Sequence, residues 1–595
     1  MYLSALMSAF VSIVSFKCEQ NDNYQAHHLF SDIVKQKPTY CFETNTKLIQ
    51  ISCSQATKIG KSKDANLFVM LHGEIYQSCL DQASYLADQF AKYGDRVVKE
   101  IHGSFAILLI DKLKDTVSLI TDRINSRRVF YSNHHNYYCL SSHFGYQPWE
   151  MFPLDATGIA WYLSNYSVRC NRTLFEGISI FDRATIHQLS RENIHSQTYW
   201  DFKVNLGSNQ KNKKQLQAEL SELLIQSVKR RLYDSPHPVL SLSAGYDSTA
   251  ILGILACDLK IPQLSCFSFD HGASKPGSDS FQAALMAQKV GCPFETIETY
   301  QGDFVGFIIN NAHQAISNGL SWLSSEVDAW PTLKNKFSQI DNAAFFCGDE
   351  CFGTGNYMLI NWLDVLASLR VYQFKQLDFL RFFLPAPIYQ VFEQGISEDI
   401  ETIIQRCLPH ANFYDARFIL DIDEATGGWL LPYRESFAGQ FFNVRNPLLD
   451  NDILDFMATT PTSCRWNKSL FRSGVSKFYP ELFSIPRATS PGNIYFDLTQ
   501  AFITHEMPIR SLINHQKSRL DLLFSPEVLL NLLDYVISQP NLNISSKPNL
   551  AQKNQYLFGR IKQKIFPGKP KIRPTNAAHT LTKLLILRVA LFRGV

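Results

Sequence analysis

Val239-Leu-Ser-Leu-Ser-Ala-Gly-Tyr-Asp-Ser-Thr249 decides how this chain is read. An apolar run, Val239 to Leu242, enters a turn of small residues, and a helix opens at Asp247-Ser248-Thr249. Upstream, a helical pattern from Gln215 to Leu232 leads through Ser235-Pro-His-Pro238 into that run. Downstream, a helix from Ser248 to Leu259 precedes another apolar strand, Leu264 to Phe269. This alternation predicts βαβ units on a parallel sheet. Small side chains let backbone N–H groups approach an anion, and a helix N-terminus adds the positive end of its dipole. Ser243 and Ser248 add hydroxyl donors. Asp247 is the odd member, because a carboxylate beside phosphates repels them unless a magnesium ion lies between. The turn is not a Walker A loop, since no G-x-x-x-x-G-K-S/T occurs in it. An ordinary strand–helix turn capped by Asp and Ser is the alternative.

The surrounding composition narrows the class. Of 595 residues, 45% are hydrophobic and 19% charged, which excludes global disorder and allows a large core. Gly and Pro number only 28 and 25, which excludes a collagen-like or low-complexity chain. The 13 cysteines include no C-x-x-C pair, which argues against a zinc ribbon or a disulfide framework and fits a reducing, cytoplasmic setting. Net charge is +3, but Tyr535 to Val595 holds eleven Lys and Arg and no Asp or Glu. Such a tail attracts phosphate, an acidic peptide or a membrane surface, or forms a solvated helical face. The apolar start lacks a Lys/Arg n-region, so Ala9 to Phe16 reads as a buried strand rather than a signal peptide, and no membrane span is expected.

Residues 1–205 read as strands and turns. Short runs recur at Leu67–Leu71, Phe105–Ile110, Val117–Thr121, Val129–Tyr131 and Tyr137–Leu140, with a helix from Cys79 to Tyr93, as in stacked antiparallel sheets. Gly207-Ser-Asn-Gln-Lys-Asn-Lys-Lys214 is the linker. Helical patterns dominate beyond about residue 360, ending in Thr580 to Phe592.

At this point the sequence resembles a family. S-x-G-x-D-S after an apolar strand resembles the pyrophosphate loop of the asparagine synthetase superfamily, which includes β-lactam synthetases and lasso peptide macrolactam cyclases. The family loop reads S-G-G-x-D-S, so Ala244 replaces one glycine. Cys347-Gly-Asp-Glu-Cys-Phe-Gly353 is similar to the family's S-G-x-G-x-D-E-x-F-G, which puts Asp349 on a second magnesium-binding aspartate. Asp279, Ala283 and Ala287, then Arg445-Asn-Pro-Leu-Leu-Asp450 and Lys468-Ser-Leu-Phe-Arg472, match further motifs in order. In the N-terminal half Gly73-Glu-Ile-Tyr76, Gly103-Ser-Phe-Ala106, Asp122-Arg123 and Tyr199-Trp200 resemble a glutamine amidotransferase domain.

The resemblance covers about residues 1–495 and implies a fold and a chemistry. The implied fold is α/β and α+β: Ntn-hydrolase-like stacked antiparallel sheets (1–205), a parallel-sheet PP-loop domain resembling the adenine nucleotide alpha hydrolases (215–495), and a basic helical appendix (496–595). The cofactors implied are ATP and Mg²⁺. ATP would bind at Leu242, Ser243, Ala244, Gly245, Tyr246, Asp247 and Ser248, with Cys347 and Gly348, and its adenine near Cys266, Phe267 and Ser268. Asp247 and Asp349 would hold the metal, and Arg487 and Lys468 are catalytic candidates, with Lys477 a further cation.

Three departures shape the functional expectation. The amidotransferase nucleophile is a cysteine directly after the initiator Met; here that residue is Tyr2 and the first cysteine is Cys18, so glutaminase activity is expected to be absent. The Asp349 loop is three residues shorter than the family pattern. The family's R-x-K lysine, eight residues after a proline like Pro480, falls on Ala488, leaving Arg487 as the nearby cation. The expected function is an ATP-dependent, AMP-forming amide ligase acting on a small-molecule or peptide substrate, as in lasso macrolactam closure. The basic C-terminal region is a candidate contact for a precursor peptide or partner protein, and no nucleic acid is expected. The alternatives are ammonia-dependent asparagine synthesis and a non-catalytic nucleotide-binding scaffold.

Overall fold

The computed structural model describes residues 9–592 except 18–29, 32–33, 35–36, 135, 204–205, 236, 271–275, 301, 316–318, 321–325, 328, 341–342, 409–411, 489–496, 516 and 539–576. Among the described residues, the N-terminal half contributes twelve strands: β1 (Phe10–Phe16), β2 (Tyr40–Glu43), β3 (Lys47–Cys53), β4 (Lys58–Lys61), β5 (Leu67–Ile75), β6 (Gly103–Asp111), β7 (Thr116–Thr121), β8 (Phe130–His134), β9 (Tyr137–Ser141), β10 (Ile178–Ile180), β11 (Thr185–Leu189) and β12 (Ile194–Thr198). They form two six-stranded antiparallel sheets, ordered β10-β8-β9-β1-β3-β2 and β12-β11-β7-β6-β5-β4.

Residue alternation sets the layers. Met70, Ala106, Leu108 and Ile110 face the other sheet, whereas Val69, Leu71, Phe105 and Ile107 pack under the helix Gln82–Tyr93. That helix starts where Asp81 accepts from Ser84 N. β1 is buried along its whole length. Phe10, Val14 and Phe16 enter the core between the sheets, while Val11 and Ile13 pack with Phe30 and Cys139.

Within the expected linker Gly207–Lys214, Asn212 already forms a reciprocal cap with Gln215 that opens the helix Lys213–Arg230. It leads into a parallel sheet of β13 (Pro238–Ser241), β14 (Ser265–Asp270), β15 (Phe294–Glu298), β16 (Ala344–Phe346) and β17 (Asn443–Arg445), ordered β15-β14-β13-β16-β17. Successive residues of β13 serve opposite cores: Val239 packs with Phe267 and Phe345, and Leu240 with Leu216, Leu224 and Ile251. β13 pairs with β14 on one side and β16 on the other, so the chain leaves it in both directions. The crevice at the carboxyl end of such a strand is the usual ligand site of open α/β sheets.

The C-terminal helices share the core of the molecule. Leu498–Thr504, Pro526–Ser538 and Ala577–Ala590 pack with Phe304–Ala315, and the Phe304 and Phe502 rings meet at 5.0 Å. The solvated basic face expected there does not hold for Lys583 and Arg588, which are buried. The Lys583 Nζ donates to the carbonyls of Leu163 (2.9 Å) and Asn165 (2.7 Å), satisfying the end of the helix Ala156–Ser164. The other basic residues of that segment lie outside the described residues. No helix among the described residues is long and apolar enough to cross a membrane.

One buried ion pair joins the sheets. Arg445, at the end of β17 and fully buried, donates from Nε (3.0 Å) and Nη2 (2.7 Å) to the two carboxylate oxygens of Glu74 on β5. Its Nη2 also meets Asp234 at 2.7 Å, and its Nη1 donates to the Arg231 carbonyl. Five residues later Asp450 binds Arg230 and Arg231, each at 2.6 Å. Replacing one member of a buried pair strands the other charge. Glu74→Gln is therefore expected to destabilise the protein by about 3 kcal/mol, read as a lower urea midpoint. Joint replacement with Arg445→Met should cost less than the sum of the single changes. A wild-type midpoint for Glu74→Gln would refute the role assigned to this pair.

Candidate active site

The turn after β13 folds on its own hydroxyls. Ser243 N donates to Ser248 Oγ (3.1 Å), Ser248 Oγ donates to the Ser243 carbonyl (3.0 Å), and Gly245 N donates to Ser243 Oγ (3.2 Å). These bonds curl the chain into a small cup at the start of the helix Tyr246–Gly253. Ala244 is not among the residues with left-handed backbone, so the alanine in the glycine slot carries no strain. Its N–H donates to Asp279 Oδ1 at 2.8 Å, which ties the turn to the first residue of the helix Asp279–Lys289. Leu242 is buried, and its N–H bonds the Phe267 carbonyl at 2.8 Å.

Cations close on this cup. Arg487 Nη1 donates to the Ala244 carbonyl (3.0 Å) and to Thr249 Oγ1 (3.1 Å), and its guanidinium lies 4.8 Å from the Tyr246 ring centroid. Its Nη2 is buried without a partner. Arg472 lies over the same ring at 5.3 Å. Lys468, at the left-handed start of the helix Ser469–Phe478, places Nζ 3.6 Å from Asp247 Oδ2 and 2.5 Å from Glu350 Oε1. The other Asp247 oxygen, Oδ1, is buried with no partner among the described residues. Burial first, then the charge of Glu350, pushes the Asp247 carboxyl up to about 6, with Lys468 opposing. Lys477, the further candidate, lies on the same helix; the interactions described here do not involve it.

The second predicted loop follows β16. Cys347 N donates to the Arg445 carbonyl (3.1 Å), and its thiol, raised by burial, lies 2.6 Å from Asn446 Oδ1. Gly348 abuts the first loop, since a Cβ there would lie 3.1 Å from Asp247 Cβ. Asp349 is buried, and both its oxygens are taken by Arg434, from Nε at 3.1 Å and Nη2 at 3.2 Å. Asp421 pairs with Arg417 at 3.0 Å, and burial pushes its carboxyl up to about 6, with Glu350 adding to the rise.

The structure thus brings Leu242 to Ser248, Cys347, Gly348, Lys468 and Arg487 to one end of the parallel sheet. The expected adenine strand is less open. Cys266 and Phe267 are fully buried, the Phe267 ring lying tilted against Phe345 at 5.7 Å, so Ser268 and the backbone are what that strand end presents. The reading missed Arg434, Arg472 and Asp421 as site members. Glu350 carried a signal in the D-E-x-F-G motif, whereas Arg434 lies on a helix, Leu431–Phe437, that carries no motif. In the N-terminal half, Tyr2 and Cys18 lie outside the described residues. His72 is buried against Phe10, ring centroids 5.5 Å apart, and burial lowers its pKa well below the usual range.

Comparison with known proteins places these features. Residues 63–200 match the family model of the glutamine amidotransferase domain, and residues 219–327 match that of asparagine synthase. No curated protein matches the sequence. Among solved structures, glutamine-dependent NAD⁺ synthetase from Acinetobacter baumannii in complex with ADP is similar at 13% identity, over 33% of this chain and 40% of that one, with a TM-score of 0.18. The U34-tRNA thiolase NcsA from Methanococcus maripaludis is similar at 13% identity, over 54% and 80%, with a TM-score of 0.21. Glutamine phosphoribosylpyrophosphate amidotransferase from B. subtilis, complexed with ADP and GMP, is similar at 9% identity, over 59% and 71%, also with a TM-score of 0.21. Superpositions this loose add nothing to the geometry, and the chain spans 40% of the length of the NAD⁺ synthetase. The two family matches occur in the order of the two architectures, stacked antiparallel sheets and then a parallel sheet with the serine-lined turn, and over those two segments the chain is similar to the glutamine amidotransferase and asparagine synthase families.

Proposed function

We propose that the chain is an ATP-dependent, AMP-forming carbon–nitrogen ligase. A substrate carboxylate oxygen attacks the α-phosphorus and pyrophosphate leaves. An amine then attacks the acyl carbon of the adenylate, forming the amide and releasing AMP and a proton. The observation that carries this reading is the hydroxyl-lined turn Ser243 to Ser248 at the carboxyl end of the central strand, ringed by Lys468, Arg472 and Arg487. Three cations around one small-residue turn meet the charge that pyrophosphate carries away. Arg487, with one nitrogen unpartnered, is the cation we assign to the adenylate in place of the missing lysine.

The two expected magnesium ligands differ in fit. The buried, unpartnered Oδ1 of Asp247 fits a cation, and that residue would hold the ion, which when bound neutralises phosphate charge. Asp349 does not fit, because Arg434 occupies both its oxygens. Arg434 instead holds the Asp349 loop beside Asp247.

A larger amine-bearing substrate, such as a peptide closing on itself, is favoured over free ammonia. The chain that leaves the Asp349 loop exposes Met358, Ile360 and Leu363, with Ile360 and Leu363 each about half exposed. Such residues suit an apolar peptide side chain better than aspartate. Glutamine is not the nitrogen source in this proposal. Beyond Tyr2, burial raises the thiols of Cys41, Cys53, Cys79, Cys139 and Cys170, so among the described residues of this half there is no activated thiolate. The arginine lock on Asp349 favours one second reading, nucleotide binding without catalysis.

Asp247→Asn separates the two. For a ligase it should lower ATP–pyrophosphate exchange by at least ~100-fold, equivalent to about 2.7 kcal/mol. The same variant should gain stability at neutral pH. A carboxyl whose folded pKa lies above its unfolded value holds its proton more tightly when folded, so its charging weakens the fold as pH rises from about 4 to about 6. The Asn variant escapes that cost, by about 3 kcal/mol at pH 7, two pKa units at about 1.4 kcal/mol each, and by nothing well below pH 4. Unchanged exchange would sink the ligase assignment. Incubation with glutamine should release no glutamate, and turnover there would refute the reading of the N-terminal half.

A further inference from the structure

A second polar cavity, away from the serine-lined turn, lies where the antiparallel sheets meet the helical segment Asp421–Leu430 and has a volume of about 390 Å³. Pockets of this size hold small metabolites. Arg128, Arg169, Arg183, Lys203 and Arg406 all line it.

Its carboxylates are already committed. Asp423 pairs with Arg183 and, at 3.5 Å, with Arg406. Glu424 meets Arg406 at 3.3 Å and Arg169 at 3.5 Å. Asp182 accepts from Asn171 Nδ2, and Asp201 from Lys203 N. Two guanidiniums remain under-used. Arg128 forms no ion pair among the described residues; its Nη2 donates to the carbonyls of Gly427 (2.6 Å) and Gly428 (2.9 Å). Arg169 is 3% exposed, and its Nε and Nη2 are buried with no partner. Buried N–H groups left unpaired are costly and rare. Burial, and then the charge of Arg169, lowers the Arg128 pKa to about 9, with Glu424 opposing.

The backbone is shaped to admit these groups. The segment Asp421–Leu430 is a π-helical stretch, a form found frequently at functional sites, and it carries two consecutive glycines. Glycine in a helix costs about 1 kcal/mol per residue relative to alanine. At Gly428 a Cβ would lie 2.2 Å from Arg169 Nη1, so only glycine lets that guanidinium lie against the helix. Nothing in the ligase reading requires either glycine or either arginine.

We infer that this cavity is a binding site for a small oxyanion, a carboxylate or a phosphate, held by the forks of Arg128 and Arg169. It is separate from the nucleotide turn but joined to it. Asp421, whose carboxyl lies in the field of Glu350 and Lys468, begins the helical segment that carries Asp423, Glu424 and the glycine pair.

Titration calorimetry of the full-length protein with succinate, and separately with inorganic phosphate, tests this. At least one probe should bind with a Kd of about 1 mM or tighter; which one binds distinguishes a carboxylate from a phosphoryl ligand. Binding should weaken at least tenfold in Arg128→Gln and in Gly428→Ala, and persist in Arg487→Gln, where only the nucleotide turn has lost a cation. Arg128→Lys, which keeps the charge but loses the fork, should fall between, and a melting curve of each variant confirms folding. Failure of both probes to bind the wild type would overturn the inference. So would binding that survives in folded Arg128→Gln but is lost in Arg487→Gln, because the probe would then occupy the nucleotide turn.

Discussion

The Arg445–Glu74 pair is the constraint on which the arrangement of the molecule turns. A guanidinium with no solvent exposure must be neutralised, and the structure supplies Glu74 from β5 and Asp234 from just beyond the helix Lys213–Arg230. Removing charges from water is costly, so such a pair holds only when its geometry is good and its remaining donors are satisfied. Here the Arg231 carbonyl takes Nη1. The pair also reaches the candidate site through the backbone. Arg445 ends β17, its carbonyl accepts from Cys347 N, and Cys347 opens the loop that bears Asp349 and Glu350. The position of that loop against Asp247 is thus tied to a contact made by the antiparallel half. The parallel-sheet half therefore depends on the antiparallel half for the placement of that loop, whatever chemistry the antiparallel half performs.

Charge balance at the site has its own logic. Asp349 pairs with Arg434 and Asp421 with Arg417, while Asp247 and Glu350 share Lys468. The raised carboxyls of Asp247 and Asp421 report burial first and then the like charge of Glu350 beside both. Perturbed acids in a cleft of a parallel sheet are a mark of functional sites, because a group stabilised only for folding would be placed where its charge costs less. The orphaned Asp247 Oδ1 points the same way, since buried polar atoms are ordinarily satisfied.

Much of this was legible in the sequence, for physical reasons that differ by element. β5, β6, β7 and β9 are buried along nearly their whole length, and their short apolar, β-branched and aromatic runs mark them. β13 was recognisable because an apolar run met small residues and helix-starting polar ones. β16 and β17 have three residues each, too few to carry a period, and β17 sits in a stretch whose helical patterning masks it. Its arginine was visible only as part of a motif, not as a buried hub. Arg434 and Arg128 could not be read at all. An arginine's sequence neighbours do not say which carboxylate it will meet some 85 residues away, nor that it will meet none. The C-terminal basic stretch misled for a related reason: Lys583 is buried because a helix end needs a donor, a demand set by tertiary packing.

The central claim is that nucleotide chemistry occurs at the serine-lined turn after β13. Hydrogen–deuterium exchange of the intact protein, with and without ATP and magnesium, tests it most directly. The account predicts protection of the amides from Leu242 to Thr249 and from Cys347 to Glu350 when nucleotide is present, with β1 to β12 unaffected. Exchange in those two segments that does not change at saturating ATP, or protection confined to another part of the molecule, would contradict it.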